Sequence, residues 1–244
     1  MHRFFADAVR SSDERSFLSE EDAHHAVTVL RLKPGQHVEL IRDNRLWEAE
    51  IVNTDTHNVE VHTLSSLPSP EPKLAVTLFQ GLPKGDKMDL IVQKATELGA
   101  VRIVPVMMNR CVSRPDPKDI LRKLNRWRKI AREAGKQSGR CMIPDVSEPV
   151  TLQQIPFLAF FPGKNIVPWE EATGFGPLAF KTSNPVLSSL GILIGPEGGI
   201  EASEIVMLKS YGFTPVTLGK RILRTETAGL AAVAAIMSLY GEME

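Results

Sequence analysis

Cysteine is close to absent from this chain: Cys111 and Cys141 are the only two in 244 residues. Isolated thiols with no neighbouring His or Cys are poor zinc ligands and suit a reducing compartment. No metal is expected, and a cytoplasmic location is. Long apolar stretches are missing as well. No run of about 18 hydrophobic residues occurs, so neither a transmembrane helix nor a membrane partner is expected. The start, Met1 to Phe5, soon meets charge at Asp7 and Arg10 and has no apolar stretch of the secretory kind. Aromatic residues make up 6%, too few for a surface that stacks many single-stranded bases. There is also no excess of either charge, with 29 Lys and Arg against 29 Asp and Glu.

What is present fits a protein with a real core: 43% hydrophobic and 24% charged residues. The charges are unevenly spread. From Arg102 to Arg140 stand 12 basic and 3 acidic side chains, while residues 1–67 hold 7 basic and 12 acidic. A segment so strongly of one sign reads as a footprint for a polyanion, because cations that neutralise phosphates release condensed counterions. The plainer reading, a solvated helix face, stays open.

Three prolines in Leu67 to Pro72 favour a stiff, extended connector. Residues 68–72 are therefore read as a linker between a domain over 1–67 and a second over 73–244. Before the linker, alternating runs at Gln36 to Arg42, Leu46 to Asn53 and Val59 to Leu64 predict strands, and Ser19 with three acids after it predicts a short helix through His24, His25 and Val29. A small antiparallel barrel with one helix follows. After the linker the rhythm becomes strand, helix, strand. Strands are expected at Leu74 to Gln80, Val101 to Val106, Phe157 to Phe161, Ile192 to Ile194 and Thr214 to Leu218. Helices are expected at Asp86 to Leu98, Pro117 to Lys136, Glu201 to Tyr211 and Thr225 to Tyr240. That alternation implies a parallel sheet covered on both faces.

In open parallel sheets ligands collect at the carboxyl ends of strands, and two such ends stand out. One is Leu193, Ile194, Gly195, Pro196, Glu197, Gly198 and Gly199, where three glycines leave peptide groups accessible at close range. It lacks the Lys and Ser/Thr of a P-loop and the spacing of a dinucleotide fingerprint, so phosphate cradling is disfavoured. The other is Leu218, Gly219, Lys220, Arg221, Ile222, Leu223 and Arg224, with Thr225 as the expected N-cap of the last helix. Each segment alone reads equally as a tight turn. Together, with apolar walls and two arginines, they resemble a cofactor site.

The pattern resembles the SPOUT methyltransferases, and within them the RsmE family, which methylates N3 of a uridine in small-subunit (16S) ribosomal RNA. The segments that carry the resemblance are His2 to Phe5, His24 through Val29 to Gly35, and Lys84 to Met88 with Gln93, Lys94 and Glu97 to Gly99. Ile194 to Gly199, and Leu218 and Gly219 with Arg221 to Ala228, complete it. The resemblance implies a PUA-like β-barrel, then an α/β domain whose parallel sheet contains a deep trefoil knot. It implies S-adenosylmethionine bound by Leu193 to Gly199 and Leu218 to Leu223, and a homodimer with active sites at the subunit interface. Two positions depart from the family pattern. Lys220 stands where proline is frequent, which loosens the loop, and Glu201 stands where a serine N-cap is usual, which weakens the helix start.

The uracil N3–H is a weak acid, so methylation there needs that proton removed or its loss stabilised. Arg224 is assigned to steady charge on the uracil carbonyl oxygens, and Glu197 and Glu226 are the candidate bases. The structural alternatives are that Glu197 binds neighbouring backbone and that Glu226 complements a helix N-terminus. For RNA contact the candidates are Arg3, Arg31, Lys84, Lys87, Arg110, Arg132, Lys136 and Arg140. The partner is 16S rRNA, free or within the 30S subunit, read through shape and phosphates with the base flipped out. Lys94 and Glu97 are read as an ion pair. Two other functions remain open: ribose 2′-O methylation of RNA, or rRNA binding in ribosome assembly without catalysis.

Overall fold

The computed structural model describes residues 1–6, 15–55, 58–112, 116–158 and 162–244. Its contacts divide the chain into two compact units, Met1–Glu71 with Gly139–Met142, and Pro72–Ser138 with Ile143–Glu244.

The first unit is a curled sheet of β1 (Arg3–Phe5), β2 (Arg15–Phe17), β3 (His37–Arg42), β4 (Arg45–Ile51) and β5 (Glu60–Ser66), in the order β1-β3-β4-β5-β2. Asp43 and Asn44 both take positive φ (53° and 57°) in the two-residue turn between β3 and β4, the backbone that a tight hairpin requires. The sheet is not wholly antiparallel as expected, because β1 pairs with β3 in parallel. Parallel neighbours need a long crossover, and here it contains α1 (Glu20–His24). A bridge between Ala6 and Leu18 links the two edge strands. Ser19 caps α1, accepting from the Asp22 N–H at 3.2 Å. The helix then widens into a π-turn over His25–Val29 instead of continuing as α.

The second unit holds a parallel sheet of β6 (Ala75–Gly81), β7 (Arg102–Met107), β8 (Asp145–Val146), β9 (Val150–Thr151), β10 (Asn165–Pro168), β11 (Ser189–Ile194) and β12 (Phe213–Val216). The order is β12-β10-β11-β6-β7-β8, with β9 also pairing with β7. Apolar runs make β6 and β11 buried almost throughout, as strands covered on both faces require. The helices are α2 (Lys87–Glu97), α3 (Pro117–Gln137), α4 (Pro177–Ser183), α5 (Ala202–Ser210) and α6 (Thr225–Leu239). Helix α2 buries Met88, Ile91, Val92 and Ala95 at helical spacing and ends before Gly99, whose φ of 93° suits a C-terminal glycine.

Several expectations need correction. The strand expected over Phe157–Phe161 is not found at its start, since Phe157 closes a 3-10 turn (Leu152–Phe157), and residues 159–161 lie outside the described residues. The strand in that region is β10, a little later. Thr225 is the first helical residue of α6 and Arg224 takes the cap position. Glu201 does not weaken α5: its carboxylate accepts from the Glu204 N–H, and Glu204 accepts in return from the Glu201 N–H at 3.0 Å. Among the described residues no helix is long and apolar enough to cross a membrane.

Candidate functional site

The carboxyl ends of β6, β10, β11 and β12 lie on one edge of the sheet, and a cleft of about 420 Å³ opens there. Glycine makes the close approaches at its floor. A Cβ on Gly81 would stand 2.7 Å from the Pro196 nitrogen, and one on Gly195 would stand 2.6 Å from Ile200. Gly199 turns the chain with a φ of 76°. One side-chain chain of hydrogen bonds ties three walls together. The Thr225 hydroxyl donates to the Gly195 carbonyl at 2.6 Å and accepts from the buried Gln80 amide at 2.9 Å. Thus α6, β11 and β6 meet at one threonine.

Of the residues expected around a cofactor, Ile194 to Glu197, Gly199 and Leu218 to Leu223 line the cleft, and Arg224 lies at its rim. Leu193 and Gly198 do not. Leu193 is wholly buried in the sheet, and Gly198 faces Arg110, which donates to its carbonyl at 3.0 Å. A third wall was not read from the sequence: Pro168, Trp169 and Glu170 after β10. Its signal, a short β-branched run closed by proline at Asn165 to Pro168, is weak beside the longer apolar run at residues 157–161. Thr217, Thr225 and Ala228 also line the cleft.

Lys87 ties two carboxylates at the cleft together. Lys87 at the start of α2 donates to Glu197 at 2.8 Å and lies 3.6 Å from Glu226. Glu197 also accepts from the Lys84 N–H at 3.0 Å. Burial pushes the Glu197 carboxyl upward, but hydrogen bonds from Lys87 and from backbone N–H groups outweigh it and hold the group below the ordinary 4.5. Lys87 is raised above 10.5, first by its hydrogen bond to Glu197, against desolvation and the repulsion of Arg224. Glu197 is therefore an ionised, occupied carboxylate that holds the glycine-rich loop, poorly suited to take a proton near neutral pH. Glu226 differs: its Oε2 is buried without a hydrogen bond.

The expected RNA contacts fall into two groups. Arg31, Lys84 and Arg132 are exposed. Arg3 is half-buried, with Glu39 at 2.6 Å and the Gly139 carbonyl also bonded to it. Arg110 is drawn to Gly198 and Glu201. Arg140 corrects an expectation outright: it is 5% exposed and its guanidinium is bound to Glu71 at 2.6 Å, so it is not presented to a phosphate. Lys87 belongs to the cleft. Lys94 and Glu97 form the ion pair the sequence suggests, at 2.8 Å. No metal-binding cluster of three or more His, Cys, Asp or Glu occurs among the described residues.

A family model described as the RNA methyltransferase domain matches residues 70–237, and one described as the RNA methyltransferase PUA domain matches residues 18–64. Ribosomal RNA small subunit methyltransferase E of Bacillus subtilis is 34% identical over 97% of this chain and 96% of its own length. That of Mycobacterium tuberculosis is 30% identical over 96% and 90%. Among solved structures, ribosomal RNA small subunit methyltransferase E from Neisseria gonorrhoeae bound to S-adenosyl methionine shares 31% identity. It covers 98% of both chains, with a TM-score of 0.81.

Proposed function

This chain belongs to the ribosomal RNA small subunit methyltransferase E family, and from that premise we propose that it methylates N3 of a uridine in 16S rRNA in the cytoplasm, using S-adenosylmethionine. The observation that carries the reading is the cleft itself, in which three strand-end loops meet beside two arginines and an under-bonded carboxylate.

The cleft suits the cofactor. Its volume of about 420 Å³ lies within the range of small-molecule sites. Ile194, Leu218 and Leu223 offer apolar walls beside the peptide groups of Gly195 to Glu197, Gly199 and Leu218 to Leu223, which would hold it. When bound, S-adenosylmethionine supplies an electrophilic methyl on a sulfonium. The residues of this chain supply the rest. Arg224 steadies negative charge on the uracil carbonyl oxygens as N3 loses its proton. Glu226 is the better base, because Glu197 is saturated by Lys84 and Lys87 while Glu226 Oε2 has no hydrogen bond. Lys87 lies 3.6 Å from Glu226 Oε2 and would orient that carboxylate.

The enzyme is proposed to work as a homodimer that completes the cleft's outer wall. Ile222, 83% exposed on a lining loop, is the apolar side chain a second subunit would cover. Sedimentation at micromolar concentration checks this, and a monomer that still methylates would end it.

The function is tested by incubating the protein with S-adenosylmethionine and either 30S subunits or free rRNA, digesting to nucleosides, and analysing by mass spectrometry. N3-methyluridine is expected. A 2′-O-methylated nucleoside, or binding without product, would overturn it. In the same system Arg224→Ala should slow single-turnover methylation by about 10²- to 10³-fold at saturating RNA and cofactor. A wild-type rate would remove Arg224 from the mechanism.

A further inference from the structure

Helix α3 runs 21 residues from Pro117 to Gln137. Its buried face consists of Leu124, Trp127, Ala131 and Ala134. On the opposite face lie Lys118, Arg122, Asn125, Lys129, Arg132 and Lys136. Their spacings alternate between four and three residues, the step that keeps side chains on one line of a helix. At 1.5 Å per residue the line runs about 27 Å. It contains five cations and no acid.

Such a face is not the usual solvated one. Exposed helices commonly alternate charge signs, because like charges three or four residues apart repel. Here Lys118 and Arg122, Lys129 and Arg132, and Arg132 and Lys136 are all so placed. Two acids stand on α3, Asp119 and Glu133, and Glu133 is exposed beside the line, four residues after Lys129 and three before Lys136. Asp116 caps the helix, accepting from the Asp119 N–H at 2.9 Å, and Asp119 pairs with Arg122 at 2.8 Å. Nor is the charge a property of the whole chain. The whole sequence has 29 basic and 29 acidic residues, and removing Arg102 to Arg140 leaves 17 and 26. Positive charge is concentrated in this segment, with five of its 12 cations on the α3 line, against an acidic remainder.

The line is also held to the cleft. Arg126, on the flank of α3, bonds to Asp89 and lies 3.6 Å from Asp86, one on either side of Lys87. On the other flank Arg128 donates to the Val146 carbonyl at 3.0 Å. A ligand seated on the cationic line would therefore be fixed in register with the cleft.

We propose that this face of α3 is a phosphate track, which seats the backbone of a helical rRNA segment next to the target uridine. The proposal rests on the RNA reading above and deepens it. The chemistry is that of a polyanion read by charge and shape: cations in a row, one amide, and no aromatic residue on the line to stack a base. Positioning by phosphates carries no sequence information, so the uridine itself is selected at the cleft.

The test is a salt titration of RNA binding, run without cofactor so that it is independent of methylation. Lys118→Gln, Lys129→Gln and Arg132→Gln are combined and compared with a control carrying Lys73→Gln, Lys164→Gln and Lys209→Gln. Both variants are first checked for wild-type thermal unfolding and S-adenosylmethionine affinity. For transcribed 16S rRNA, each lost phosphate contact lowers the slope of log K against log salt by about 0.7 to 0.9. The α3 variant should therefore lose about two to three from its slope, and the control less than one. Equal slopes for wild type and the α3 variant would overturn the track. So would an equal loss in the control, which would make the effect one of net charge. A loss seen with 30S subunits and not with naked rRNA would assign the face to a ribosomal protein instead. If wild type yields no methylated nucleoside yet the slope falls as stated, the activity fails and the track stands.

Discussion

Lys87 stands between two carboxylates that belong to different walls of the cleft. Glu197 sits in the glycine-rich loop after β11, and Glu226 in the first turn of α6. Because the Glu197 carboxyl is held below 4.5, its contribution to stability is complete above that value and is lost as pH falls through the lower folded value. Lys87 is raised above 10.5, so its contribution is complete below that value and is lost as pH rises through the higher one. The tie is therefore whole between 4.5 and 10.5. Lys87→Met should weaken S-adenosylmethionine binding and lower stability by a constant amount across that window, with the gap closing as pH falls below 4.5. Denaturant unfolding of both proteins against pH measures it. A gap that persists unchanged well below 4.5 would mean that the tie to Glu197 is not its source.

At the scale of elements, the helix start at α5 shows how a departure from a family pattern can be a replacement. A glutamate at the cap looks unfavourable until its partners are seen. Glu204, 3% exposed, accepts from the Asn109 N–H at 2.9 Å as well as from the Glu201 N–H. Asn109 also donates through its side chain to Glu201 at 2.9 Å. The loop after β7 is thereby fastened to the element that follows the glycine-rich turn. Glu204→Ala strands two backbone donors and should cost about 1–3 kcal/mol in denaturant unfolding, whereas a loss within a few tenths would show that water takes over both. The same region marks how far sequence carries. Gly195 to Gly199 and Leu218 to Arg224 were readable because glycine, proline and a change of hydrophobic period are local signals. The wall at Pro168 to Glu170 was not, because a four-residue strand is too short for period to decide. The tie between Asn109 and Glu201 joins residues 92 apart, and no local pattern carries that.

At the scale of the molecule, the chain divides between Glu71 and Pro72, inside the proline cluster, while its return to the first unit has no local signal. Gly139–Met142 follows the basic helix in sequence and belongs with Met1–Glu71 in space. In sequence Arg140 is one more cation in a basic run. In the fold it is a buried counter-ion: Glu71 accepts from its guanidinium and from the N–H groups of Cys141 and Met142 at 2.7 and 3.0 Å. Removing one partner of such a pair leaves the other charge buried without compensation, at about 3–5 kcal/mol. Arg140→Met should therefore destabilise the first unit by that order. Replacing Glu71 with Leu as well should recover part of the loss, and only part, because the two N–H groups then lack their acceptor. Unfolding is followed by fluorescence with Trp47 as the sole indole, after Trp127 and Trp169 are changed to Phe. If Arg140→Met unfolds at the wild-type midpoint, while its RNA affinity falls with a reduced salt slope, Arg140 meets phosphate after all and the buried pair does not hold in solution.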